Sequence, residues 1–161
     1  MGIQMQPAPG SSLGTIQVEA NLFVEVVDAA TGEVLERQQT HNLVVNAGLN
    51  AIRDFLNASP PTAPTHFATG TGTTAVTATE TQLVAQVTRE AISSKTTTAQ
   101  GITYTYYMAS TVGNGNTLAE VGLFNAAVSG TMYARALLAS TIAKTSSVTV
   151  TFTWQVTLAA A

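Results

Sequence analysis

The sequence predicts a mainly β chain: an antiparallel β-sandwich of jelly-roll-like type with one short helix and an extended N-terminal arm. Three observations carry that prediction. Apolar and polar residues alternate with period 2 over several long stretches, clusters of Gly, Asn, Asp and Ser punctuate them at short intervals, and no strand–helix–strand rhythm occurs. At 161 residues the chain has the length of one domain, with a core large enough to fold without the disulfides that an absence of cysteine rules out. The expected division is an arm over residues 1–14 and a single sandwich domain over 15–161.

The arm combines Pro7, Pro9, Gly10 and Gly14 with widely spaced apolar residues and follows neither the strand nor the helix period. Ile3, Met5, Pro7, Pro9 and Leu13 are its candidate partner-binding residues, anchors that order when laid on another protein. From Thr15, Ile16, Val18, Ala20, Leu22, Val24 and Val26 share one face of a strand, opposite Gln17, Glu19, Asn21 and Glu25. Asp28-Ala29-Ala30-Thr31-Gly32 then turns it, because Asp hydrogen-bonds turn backbone and Gly accepts positive φ, and residues 33–40 return as a hairpin.

Asn46 precedes Leu49, Ile52, Phe55 and Leu56, a spacing that predicts a short helix capped by Asn46 with its apolar groups on one side. Pro60, Pro61 and Pro64 end it. Residues 66–74 read as a short strand entering a Gly-rich turn, whereas residues 75–89 fit either a strand or a partly helical crossing. Beyond them, Ile102 to Met108, Leu118 to Phe124 and Met132 to Leu138 read as successive antiparallel strands, separated by Gly113-Asn114-Gly115-Asn116 and Ser129-Gly130. In the last strand Val148, Val150, Phe152, Trp154, Val156 and Leu158 face one way and four threonines and Gln155 the other, which makes Trp154 a core anchor. About eight strands follow from this reading.

Chemical motifs are sparse. Gly10-Ser11-Ser12-Leu13-Gly14 matches the nucleophile elbow of hydrolases, but it lies in a Pro-rich arm and lacks the strand and helix that strain such a serine. Gly70-Thr71-Gly72-Thr73-Thr74-Ala75 matches a dinucleotide-binding fingerprint, yet the β-branched sequence after it is poor helix material. His41 and His66 are the only histidines and have no ligand-like spacing. Glu19 and Glu25 are about 20 Å apart along a strand, too far for a glycosidase pair, and Glu25, Glu36 and Arg37 read as a solvated cluster across the first hairpin. Glu120 is set among apolar residues with Arg135 on the following strand, and the two are expected to form a structural cross-strand ion pair. No credible set of acid, base and nucleophile emerges, so the chain is not expected to be an enzyme, and no cofactor or metal is implied.

Six basic and nine acidic side chains make up 9% of the chain, against 27 threonines and roughly 25% charge in ordinary soluble domains. So thin a coat of charge suits a surface covered by neighbours in an assembly. A net charge of −3 without a basic cluster argues against nucleic acid, and no stretch approaches the ~20 apolar residues that cross a bilayer. No basic-then-apolar export signal is visible at Met1 to Pro7.

Four blocks together resemble small virion structural proteins of tailed bacteriophages: Asn42–Leu49; Phe67–Gly72; Glu120–Asn125; and Ala134-Arg135-Ala136 leading to residues 142–147 and the final strand. The resemblance covers about residues 40 to 158. It implies a part of the phage particle, either on the capsid exterior or in the tail, fibre or baseplate, without fixing which. The expected role is that of a capsid decoration (cement) protein in the virion, assembled in the host cytoplasm, that contacts the major capsid protein and other virion proteins. Open sheet edges with few charges to blunt them suggest a homotrimer. A tail, fibre or baseplate component is the nearest alternative. A carbohydrate-binding module with Tyr104, Tyr106, Tyr107 and Trp154 as a stacking surface is an alternative of another class.

Overall fold

The longest alternating stretches of the sequence become the two most extensively paired strands of the molecule. The computed structural model describes residues 16–59 and 62–160. In chain order its elements are β1 (Ile16–Asp28), β2 (Val34–His41), β3 (Leu43–Val44), α1 (Asn46–Leu56), β4 (His66–Gly70), β5 (Gln86–Ala91), β6 (Ser94–Thr97), β7 (Gly101–Met108), β8 (Asn116–Phe124), β9 (Met132–Lys144) and β10 (Val148–Ala160). They form two five-stranded antiparallel sheets, ordered β2-β1-β10-β7-β6 and β3-β9-β8-β4-β5. This is the expected β-sandwich with its one short helix, with ten strands where about eight were expected. The strand order establishes the sandwich and not the jelly-roll subtype. Residues 1–14, the expected arm, lie outside the described residues together with Ile3, Met5, Pro7, Pro9, Leu13 and the serine-containing motif.

β1 and β10 pair along their full length, from Ile16 opposite Ala160 to Asp28 opposite Val148. Period 2 then does what it predicts: Ala20, Leu22, Val24 and Val26 of β1 are buried, as are Val150, Phe152 and Trp154 of β10. From the facing sheet Phe67 meets Tyr106 and Trp154 at ring-centroid distances of 5.7 Å, the first stacked and the second edge-on. Offset and edge-on pairs of this kind add to the gain from burial alone. The indole N–H of Trp154 is also satisfied, since the Asn42 amide, oriented to suit its neighbours, accepts from it at 3.2 Å and donates to the Ala20 carbonyl at 2.6 Å.

The first hairpin forms as its composition requires. Asp28 Oδ1 accepts from the Ala30 and Thr31 backbone N–H groups (3.0 and 2.8 Å) and from the Thr31 hydroxyl (2.9 Å), while Gly32 sits at φ +74°. These donors, with Thr31 foremost, hold the Asp28 carboxyl below its ordinary pKa. At the outer edge, the Gln38 side-chain amide makes both hydrogen bonds a strand would make to Ser140: its Nε2 donates to the Ser140 carbonyl (3.1 Å) and its Oε1 accepts from the Ser140 N–H (3.0 Å). The side chain thereby joins the two sheets where backbone pairing stops.

Three local expectations are corrected. β7 and β8 are not neighbours: β7 pairs with β10 and β6, and β8 with β4 and β9, so the Gly113-Asn114-Gly115 connection crosses between sheets. Asn46 is the first helical residue instead of the cap; Val45 occupies the cap position without a side-chain hydrogen bond, and the helix entry is held by backbone bonds from Val45 N–H to Tyr133 and from Asn46 N–H to Ala78. The helix also buries its small residues, Gly48 and Ala51, and leaves Leu49, Phe55 and Leu56 exposed. Its reason is proximity: a Cβ on Gly48 would lie 2.2 Å from the Tyr133 carbonyl oxygen, so α1 approaches β9 too closely for large side chains to intervene. Residues 75–89, left open between strand and helix, divide into a loop and the edge strand β5.

Candidate functional site

Two features of the fold are built with more care than a plain sandwich needs, one a buried charge network and the other an open apolar groove. The network centres on Glu120 of β8 and Arg135 of β9, both fully buried. Arg135 Nε donates to Glu120 Oε2 at 2.7 Å, while its Nη1 donates to both Glu80 carboxylate oxygens at 3.0 Å and its Nη2 to the Thr74 carbonyl at 3.0 Å. Glu120 in turn accepts from three backbone N–H groups: Gly72 (3.1 Å), Val84 (3.2 Å) and Ala85 (2.7 Å). Every strong donor and acceptor of the pair thus has a partner, the condition under which a buried ion pair is tolerated.

The expected Glu120–Arg135 ion pair is therefore present, and it does more than join two strands. All the other partners belong to the 71–85 connection between β4 and β5, which has no strand or helix of its own. The pair holds this loop against the sheet. Gly70 and Gly72 supply the room, since a Cβ at either would stand 2.6 or 2.5 Å from Glu120 Oε1. The glycine motif that mimics a dinucleotide fingerprint contributes one N–H, that of Gly72, and space for the chain's own carboxylate, and Val84 and Ala85 at the far end of the loop supply the other two donors. No helix follows it. Sequence reasoning missed Glu80, Gly70 and Gly72 as members of this site. Their only signal was the coincidence of a glycine-rich turn with a lone acid amid apolar residues.

The groove lies at the end of the sandwich where β1, β7 and β9 begin and β8 and β10 finish. Its volume is about 330 Å³, and α1 forms one wall with Gly48, Ala51, Ile52 and Phe55. Val18, Tyr104, Val156 and Leu158 line the opposite side. No charged residue lines it. The inward face of β10 runs out here, so Leu158, expected in the core, is 43% exposed.

At the far end Lys144, the last residue of β9, is buried without a carboxylate. Its ammonium donates to the Ser110 and Thr145 carbonyls (3.3 and 2.9 Å) and to Asn114 Oδ1 (2.9 Å), tying together two connections that cross between the sheets. Burial pushes its pKa down.

The remaining candidates are dispersed. Glu25 pairs with Arg37 at 2.8 Å on the surface, and Glu36 bonds to the Ser140 hydroxyl, so the hairpin acids do not converge. His41 is exposed and His66 bonds to the Thr65 hydroxyl through Nδ1 (2.8 Å); among the described residues no group of three metal-binding side chains occurs. Trp154, Tyr104 and Tyr106 are buried and only Tyr107 is exposed, which removes the aromatic stacking surface a glycan would need. No protein-family model matches the sequence, and no curated protein or solved structure is significantly similar to it.

Proposed function

We propose that this chain is a structural protein of a tailed-phage virion, a capsid decoration protein that acts as a homotrimer on the shell of major capsid subunits. The observation that carries the reading is the poverty of surface charge. Of 15 charged side chains, Glu120, Arg135 and Lys144 are buried, so even fewer face outward than the composition suggests. Five of the nine large apolar side chains exposed among the described residues lie on α1 and the strand ends beside it. A surface of this kind is suited to contact with other proteins.

The blocks that resemble phage virion proteins support the same reading by where they fall. Phe67–Gly72 and Glu120–Asn125 pair as β4 and β8, and Arg135 crosses to Glu120. Asn42–Leu49 forms the entry to α1 beside the groove. Blocks distant in sequence thus meet around one clamp and one groove. Stabilisation would follow from mass action, with each copy adding contacts that exist only on the assembled shell.

The test is occupancy on purified capsids. Deleting residues 1–14 is expected to abolish or weaken binding while the circular dichroism of the soluble domain is unchanged; full occupancy without them would overturn the arm's role. Fractionated tails and baseplates serve as the second bait, and binding there in place of capsids assigns the chain to the tail.

A further inference from the structure

The groove beside α1 is the place where the sandwich stops short of closing. We propose that it is an interface between copies of this chain, and that it receives residues 1–15 of a second copy with Ile3 and Met5 as the entering side chains. Three observations choose this occupant.

The first is position. β1 starts at Ile16, paired with Ala160 and two residues before the lining Val18, so the chain enters β1 at the groove's own end. Fifteen extended residues reach up to about 50 Å, enough to cross to a copy standing alongside. The second is chemistry. The sequence has no charged side chain before Glu19, and the groove has none in its walls. Ile3 and Met5 are two apart, which places both on one side of an extended segment. A volume of about 330 Å³ accommodates roughly two such side chains at interior packing density.

The third is extent. Five of the nine large apolar side chains exposed among the described residues are Leu43, Leu49, Phe55, Leu56 and Leu158, on α1 and the strand ends around the groove. Two arm side chains cannot cover them all. An arm folded back into its own groove would leave this surface bare, whereas a second copy brings a domain along with its arm. Because arm exit and groove lie at the same end of every copy, copies grouped with these ends around one axis close a ring in which each gives and receives one arm.

The inference deepens the assembly reading and rests on its premise that copies associate, but its test needs no virion component. The chain has no cysteine, so engineered ones stand alone. The double variant Met5→Cys, Phe55→Cys, treated with an oxidant, is expected to give bands at multiples of 16.6 kDa on a non-reducing denaturing gel, collapsing to one on reduction. A disulfide confined to single chains, or none, overturns the exchange. In parallel, deletion of residues 1–14 and, separately, Phe55→Ser should lower the light-scattering mass to 16.6 kDa with unchanged circular dichroism. An unmodified chain already at that mass also overturns it. Capsid binding without an interchain link leaves decoration standing and sinks the exchange; a link without capsid binding does the reverse.

Discussion

Glu120 is a carboxylate with no access to water, and its stability in the core depends on one guanidinium and three backbone N–H groups. Removing either partner therefore has unequal consequences. Arg135→Ala strands Glu120 in the core and frees Glu80 and the loop from the sheet, and breaking a buried pair in this way costs about 3–5 kcal/mol. The variant Glu120→Gln with Arg135→Met keeps an oxygen to accept from the Gly72 and Ala85 N–H groups while removing the uncompensated charge, and it is expected to cost less than Arg135→Ala alone. Urea denaturation of the unmodified chain and both variants checks the order; a double variant that loses as much as Arg135→Ala, or more, would mean that the stranded charge is not what destabilises the single variant. The ion pair itself was legible in the sequence because flanking apolar residues marked Glu120 as buried. Glu80 and the two glycines were not, because a loop without periodicity gives no sign of which way its backbone N–H groups point.

At the scale of elements, α1 shows how a correct location can accompany an incorrect face. Helical spacing located a short helix after Asn46, one residue late at its start, and put its large apolar residues together on one side, whereas close approach to β9 buries Gly48 and Ala51 instead. Gly→Ala inside a helix ordinarily stabilises by up to ~1 kcal/mol. Gly48→Ala is expected to do the opposite, because its methyl group meets the Tyr133 carbonyl and forces α1 away from β9. The measurement is thermal unfolding combined with hydrogen exchange at Val45, whose N–H bonds to Tyr133 (3.1 Å) and should lose protection. Unchanged or increased stability would show that the helix has room to shift. Strand pairing is a second case: alternation reveals which side of β7 and β8 is apolar, but it carries no information about which strand lies alongside. A seven-residue connection serves a hairpin and a crossing equally well, so the assignment of these strands to opposite sheets could not be read from their sequences.

For the whole molecule, the shortage of charge shifts the pH response toward the alkaline limb, where buried phenols take over. Burial raises the pKa of Tyr104 and Tyr133, and it pushes Tyr106, with Glu90 nearby, from 10.0 up to about 12. A phenol with a raised pKa in the folded state keeps its proton where the unfolded chain has lost it. Its full contribution to stability is present below pH 10.0 and disappears as pH rises through about 12. Lys144 works in the opposite sense below its ordinary 10.5, since its lowered pKa lets stability rise with pH there, so the net loss should emerge above that value. Tyr106→Phe retains the ring that stacks on Phe67 and Phe152 but has no proton to lose. Its urea midpoint should therefore fall less steeply than that of the unmodified chain between pH 10.5 and about 12. Parallel curves would mean that Tyr106 ionises in place without opposing the fold, and that the interior between the sheets admits water at high pH.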